Sequence, residues 1–168
     1  MGKPYPEKPK IIVPRHTPDR LQGLLELIFS EHLLRQRIAK AFLEEVRGRG
    51  SEGFHEEEWI PFVIKVLGRE YPSEAKALME HYEALEGEVS RTTLQREISN
   101  KALELGLIEE GSNLFHVYKS QYTIVLKILR KLNMIYKKEG AYYTTAHFGQ
   151  VLESIGRLCK DWRAGLVD

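Results

Sequence analysis

Residues 90–108 decide the fold; they read SRTTLQREISNKALELGLI. Four apolar side chains recur there at intervals of four, four and three residues: Leu94, Ile98, Ala102 and Leu105. This is the spacing of one face of an α-helix. Gly106 then ends the helix, because glycine readily adopts the left-handed conformation that closes a helical C-terminus. The stretch therefore predicts a helix over residues 90–105 and a new element from Leu107.

A β-hairpin is expected after this helix. Leu107–Glu110 is predicted as its first strand and Leu114–Tyr118 as its second, with the polar turn Gly111–Asn113 between them. Short apolar runs on either side of a glycine-containing turn are typical of hairpins. Residues 90–118 are therefore interpreted as a helix followed by a hairpin.

The same order of elements recurs 27 residues downstream. A second helical face contains Tyr122, Val125, Leu129 and Leu132. Asn133 takes the place of Gly106, and asparagine also tolerates the left-handed conformation. Residues 134–138 and 141–144, on either side of Glu139-Gly140, then predict a second hairpin. The sequence thus contains two consecutive helix–β-hairpin units.

The remaining segments are predicted to be an N-terminal arm followed by helices. Residues 1–18 contain five prolines and five basic side chains, so a flexible, extended, weakly basic arm is expected there. Residues 19–48 predict one long helix that begins at Thr17-Pro18, unless it breaks near Ser30. Two shorter helices are expected over residues 55–69 and 73–86. Thr145 caps a last helix with the apolar residues Phe148, Val151, Leu152, Ile155, Leu158 and Trp162.

Part of this pattern resembles a known family. Residues 90–98 followed by 102–108 resemble the recognition helix and first wing strand of winged-helix DNA-binding transcription regulators, and residues 120–135 resemble them again. Tyr142–Thr145, followed by Gly149 and a long helix, is similar to the end of many archaeal and bacterial members.

The resemblance covers roughly residues 55–162 and implies a mainly α fold, winged-helix-like with two consecutive helix–hairpin units and a long N-terminal helix. The first unit spans residues 55–118 and the second, with the C-terminal helix, residues 119–168. A complete winged helix needs two helices before its recognition helix. The second unit has only the first unit's hairpin in that place, so we expect it to be incomplete.

Two groups of side chains are candidates for contacts with double-stranded DNA. The first unit offers short donors and guanidinium groups near a helix N-terminus, which suit phosphates and base edges: Arg91, Thr92, Thr93, Gln95 and Arg96. The second unit has six Lys or Arg and no acid between Gly111 and Lys138. Such a strip neutralises phosphates and releases counterions. Its candidate residues are Lys119, Gln121, Thr123, Lys127, Arg130, Lys131, Lys137 and Lys138. Which unit contacts DNA stays open.

The charge is divided unevenly along the chain. The net charge of +1 combines +4 in residues 1–40, −8 in residues 41–110 and +5 in residues 111–168. The basic last segment favours a polyanionic partner. The acidic middle segment is either a surface for a protein partner or a solvated helical surface.

Composition and motifs exclude several classes of protein. No catalytic constellation, phosphate-binding glycine loop or metal-ligand spacing occurs, so neither an enzyme nor a cofactor is predicted. No apolar run approaches a membrane span, no secretory signal opens the chain, and Cys159 has no partner for an internal disulfide. A reducing cytoplasmic location is therefore expected. Glu outnumbers Asp by 21 to 3 and amides are few, which is typical of thermophiles.

The predicted function is a DNA-binding winged-helix protein, a transcription regulator. The alternative is a winged-helix protein that builds an assembly without contacting DNA. A homodimer is expected as well, since paired half-sites strengthen binding. The long N-terminal helix is its candidate interface, because Leu27, Phe29, Leu33 and Leu43 lie off its main apolar face. Burial of these four side chains in the monomer core is the alternative.

Overall fold

The computed structural model describes residues 17–30 and 32–167. Over these residues the chain is mainly helical and has a small antiparallel sheet of three strands, so the mainly α class is confirmed. Of the predicted arm, only Thr17 and Pro18 lie within the described residues. The helices are α1 (Leu21–Phe29), α2 (Leu33–Arg49), α3 (Trp59–Leu67), α4 (Pro72–Leu85), α5 (Arg91–Glu104), α6 (Leu114–Lys131) and α7 (His147–Arg163). The strands are β1 (Phe54–His55), β2 (Ile135–Lys138) and β3 (Ala141–Thr144).

Phe42 of α2 lies at the centre of the hydrophobic core. It is fully buried and packs edge-to-face against four other rings at centroid distances of 5.2 to 6.0 Å: Phe54, Phe62, Tyr122 and Tyr142. These rings come from β1, α3, α6 and β3, so one residue joins four elements. Edge-to-face contacts stabilise such a cluster beyond simple burial.

The sheet has the strand order β1-β3-β2. The β2–β3 hairpin that the sequence predicts is confirmed, and Glu139 and Gly140 both have positive φ as its turn requires. Asn133 also has positive φ, where α6 ends. β1 pairs with β3 through Phe54 and Tyr142. The α-helix predicted from residue 55 begins at Trp59, because His55 is paired in the sheet and Glu56–Glu58 form a single turn of 3-10 helix.

The predicted first hairpin, over Leu107–Glu110 and Leu114–Tyr118, is wrong. Neither segment is a strand, and Leu114 is the first residue of the long helix α6. Asn113, assigned to the turn, is the N-cap of this helix: its Oδ1 accepts a hydrogen bond from the His116 backbone N–H at 3.0 Å. The two consecutive helix–hairpin units are therefore not present, and the unit with a hairpin is α6–β2–β3.

The predicted long N-terminal helix is also interrupted. Ser30 has a φ of +44°, and α1 ends there. The carbonyl of Ser30 accepts a hydrogen bond from the buried amide of Gln36, which compensates for the helical bond that is lost. Because α1 packs on α2, Phe29 and Leu43 are buried in the monomer core, whereas Leu27 and Leu33 stay exposed.

Ion pairs join α2 to the elements that follow it. Arg37 pairs with Glu70, Arg69 with Glu44, Lys65 with Glu45 and Arg49 with Glu58. All four of these glutamates belong to the acidic middle segment. Arg49, Lys65 and Arg69 lie in that segment too and are already counted in its net charge of −8, so of these four pairs only Arg37–Glu70 brings in a positive charge from outside it.

Candidate nucleic-acid interface

A groove of about 1120 Å3 lies between α5, α6 and the start of α3. We call it the basic groove, because five of the side chains that line it are Lys or Arg: Arg91, Lys119, Lys127, Arg130 and Lys131. Gln95 and Thr123 line it as well. Seven of the predicted contact residues, from both predicted sets, therefore share one surface.

α6 presents its cations along one flank of its buried face. Lys119, Thr123 and Lys127 follow at intervals of four residues, and Arg130 and Lys131 complete the next turn. All five are exposed, while Tyr122, Val125, Leu126 and Leu129 are buried against the rest of the molecule. The amphipathic pattern of the helix thus directs a row of positive charge toward solvent.

The first turn of α5 supplies the opposite side of the basic groove. Ser90 is the N-cap of α5, since its hydroxyl accepts a hydrogen bond from the Thr93 backbone N–H at 3.2 Å. Arg91, in the first helical position, donates to the backbone carbonyl of Glu56 at 3.0 Å. This bond fixes the guanidinium group at the rim, and Gln95 follows one turn later on the same side.

The other six predicted contact residues do not line the basic groove: Thr92, Thr93, Arg96, Gln121, Lys137 and Lys138. The Thr93 hydroxyl lies 2.9 Å from the Ser90 cap, and Arg96 lies 3.5 Å from Glu97. Gln121 accepts a hydrogen bond from Arg35 at 2.8 Å, on the side of α6 that packs on α2. Lys138 lies at the exposed end of β2.

Glu56 contributes the one carboxylate among the described residues that line the basic groove. Lys137 donates a hydrogen bond to it at 2.7 Å and Tyr142 donates another at 3.1 Å. The bond from Lys137 is the main reason why the pKa of Glu56 is lowered from its ordinary range. Its negative charge is therefore already paired within the molecule, and five cations around it remain to attract an anion.

Aromatic rings form the inner wall of the basic groove. Trp59 and Tyr122 lie 4.3 Å apart between ring centroids, and Phe115 and Tyr142 line the same wall. Burial raises the pKa of Tyr122, so its hydroxyl stays protonated and can donate. The indole Nε1 of Trp59 is buried and has no hydrogen-bond partner among the described residues.

Sequence reasoning missed Glu56, Trp59 and Phe115. No pattern within residues 54–62 places Glu56 and Trp59 beside α6, because the packing of α3 on α6 brings them there. Phe115 was assigned to a strand that does not form. The sequence does contain a signal that places Phe115 in a helix: Asn113 is a good N-cap residue, and the apolar residues that follow it recur at helical spacing.

The described residues carry few signs of other functions. None of their His, Cys, Asp and Glu side chains gather in threes or more as a metal ion would require. In the same part of the chain, no helix combines the length and the apolar character needed to cross a membrane.

Comparison with protein-family models, with curated proteins and with solved structures finds no match to this chain.

Proposed function

We propose that the protein binds double-stranded DNA through the basic groove, as a winged-helix transcription regulator does. The observation that carries this proposal is the convergence of five Lys and Arg side chains from α5 and α6 on one surface, around a single carboxylate that is already paired. Phosphates neutralised by these cations release counterions, which favours binding of any nucleic acid.

The order of elements supports the winged-helix part of the proposal. In a winged helix, the recognition helix is followed directly by a hairpin, the wing. Among the described residues, one helix has this position: α6, which is followed by the β2–β3 hairpin. α5 is followed by α6 and not by a hairpin, so its role is to complete the rim of the groove through Arg91 and Gln95. We therefore assign the recognition helix to α6, with Lys119, Thr123 and Lys127 as the residues that meet the DNA.

The test is fluorescence anisotropy with a labelled duplex over a series of salt concentrations. Five phosphate contacts predict that log Kobs falls against log salt concentration with a slope of roughly −4.5. Lys127→Ala is expected to weaken binding to all duplexes alike and to reduce the slope by about one unit. Lys76→Ala is the matched control, since this α4 lysine is highly exposed and lies outside the basic groove.

Two results would overturn the proposal. The first is an unchanged anisotropy at low salt on every duplex tested. The second is an equal loss of affinity in Lys127→Ala and Lys76→Ala, since binding would then follow overall charge and not the groove. A single strand of the same sequence is measured in parallel, and tighter binding to it than to the duplex would contradict the choice of double-stranded DNA.

A further inference from the structure

The aromatic inner wall of the basic groove lies behind its cations. The Lys and Arg side chains of the groove are exposed, whereas the four rings of the wall are at most 9% exposed: Trp59, Phe115, Tyr122 and Tyr142. Bases that are stacked in a duplex offer only their edges to a protein. A stacked base therefore meets the cations at the mouth of the groove and does not reach the rings.

The basic groove has the size and the chemistry of a nucleotide site. Its volume of about 1120 Å3 is slightly above the roughly 300 to 1000 Å3 of sites for small organic ligands. Gln95 and His116 line it from α5 and α6, and their amide and imidazole groups offer the donors and acceptors that a base edge needs. Rings, polar groups and cations thus match the face of a base, its edge and a phosphate.

Cations of α6 lie on both sides of the aromatic wall along the helix axis. Lys119 precedes Tyr122 by three residues, and Lys127 follows it by five. At 1.5 Å per residue the two lysines are about 12 Å apart along the axis, and Tyr122 lies between them. A DNA strand that follows α6 therefore places phosphates near both lysines and one nucleotide opposite the wall.

We propose that the basic groove receives one nucleotide that has left the stack of the bound DNA. Its base lies against Trp59 and Tyr122, since contact with aromatic rings stabilises an unstacked base. The phosphates on either side of it meet Lys119 and Lys127. The Nε1 of Trp59, which has no partner among the described residues, donates to an acceptor of the base. This inference rests on the proposed function, because it names the form of DNA that the groove accepts.

A nucleotide that is already unpaired should bind best. In a fully paired duplex, extrusion of a base breaks its pairing and stacking, and this cost lowers the affinity. In a duplex with a single bulged adenine, the extra base has no pairing partner to lose. We expect the bulged duplex to bind about tenfold more tightly than the paired duplex of the same sequence.

Fluorescence anisotropy with the two duplexes measures this ratio of dissociation constants. Gln95→Trp places a bulky side chain in the basic groove and should bring the ratio close to one. Asn100→Trp is the matched control, because Asn100 is an exposed residue of the same helix outside the groove, and it should keep the ratio. Circular dichroism of both variants shows whether the fold is retained.

The emission of Trp59 tests contact with the wall without any change to the groove. The chain has two tryptophans, so Trp59 is the one that remains in Trp162→Phe. Trp162 is 67% exposed on α7, and its substitution leaves the core intact. The bulged duplex is expected to quench Trp59, because its base reaches the indole ring. Tripolyphosphate, which offers phosphates without a base, should leave the emission unchanged.

Three results would overturn the inference. The first is an equal dissociation constant for the bulged and the paired duplex, and the second is an unchanged Trp59 emission when the bulged duplex is saturating. In both cases salt-dependent binding of the paired duplex would still support the proposed function, so the two failures are distinguishable. The third is quenching of Trp59 by adenosine monophosphate at lower concentration than by the bulged duplex, since the groove would then take free nucleotides and not DNA.

Discussion

The side chain of Lys137 donates a hydrogen bond to the carboxylate of Glu56 at 2.7 Å, although 81 positions separate the two residues in the chain. The hydroxyl of Tyr142 donates to the same carboxylate oxygen at 3.1 Å. The ammonium group of Lys137 also lies 5.3 Å from the centroid of the Tyr142 ring. Glu56 therefore ties the β2–β3 hairpin to the turn in front of α3, at the rim of the basic groove.

Glu56→Gln is expected to strengthen DNA binding. The substitution removes the carboxylate from the rim and releases Lys137, so the local potential becomes more positive. We expect about a threefold tighter dissociation constant for a duplex at 0.1 M salt. The free energy of unfolding should fall by less than about 1 kcal/mol, because this ion pair is partly exposed.

Glu83→Gln is the control for this prediction, since Glu83 is an exposed acid of α4 outside the basic groove. It makes the same change in net charge and should alter the dissociation constant much less. Weaker binding in Glu56→Gln than in the unsubstituted protein would contradict the prediction. The contact between Glu56 and the hairpin would then support binding by keeping the shape of the groove, and this effect would outweigh the repulsion between the Glu56 charge and DNA.

The two hairpin predictions differ in outcome because similar turn residues serve two purposes. Glu139 and Gly140 both adopt positive φ and close β2–β3 as predicted. Gly111 also has positive φ, but Asn113 uses its side chain to cap α6 and no strand follows. Asparagine favours turns and helix caps alike, so local sequence does not distinguish the two.

Long-range packing explains what sequence reasoning did not reach. β1 has only two residues, Phe54 and His55, and exists because β3 pairs with it from a distant part of the chain. In the basic groove, helical spacing predicted that the cations of α6 share a face, because that spacing is local; only the fold shows that Arg91 of α5 lines the same groove. The aromatic wall and Glu56 come from α3, and no local pattern connects α3 to α6.

Gly53→Ala is expected to destabilise the fold strongly. Gly53 precedes β1 with a φ of +70°, and a Cβ atom there would lie 2.7 Å from the Tyr143 ring and 3.0 Å from the Tyr142 carbonyl. Backbone strain of about 1 kcal/mol therefore adds to a clash with β3. We expect a loss of about 2 to 4 kcal/mol in the free energy of unfolding, measured by urea denaturation.

Gly87→Ala separates these two contributions. Gly87 has a φ of +83°, but a Cβ atom there would meet nothing within 4 Å. Backbone strain alone then lowers the free energy of unfolding, by about 1 kcal/mol. Equal losses in the two variants would show that the loop before β1 moves aside to accept a methyl group.

The pH dependence of stability should contain a contribution from Glu45. Burial disfavours the ionised carboxylate, but hydrogen bonds from Lys65 and Arg49 outweigh it, and the pKa of Glu45 is lowered. As the pH falls, the unfolded chain therefore takes up a proton at Glu45 before the folded chain does. The stabilisation is present at neutral pH, above the ordinary carboxyl pKa, and is lost as the pH falls through the folded-state value.

Glu45→Gln should accordingly lower the free energy of unfolding by about 1 kcal/mol at pH 7, because Lys65 and Arg49 lose a charged acceptor. The difference from the unsubstituted protein should shrink as the pH falls through the lowered folded-state pKa of Glu45, because below it the side chain is protonated in both states and has no charge to lose. Urea denaturation at several pH values measures both quantities. Glu80→Gln is the matched control: Glu80 is exposed and lies 3.9 Å from Lys76, so its substitution should change little at any pH. A Glu45→Gln deficit that stays constant over the whole acid range in which the protein remains folded would mean that shape and packing at this position, and not its charge, stabilise the contact between α2 and α3.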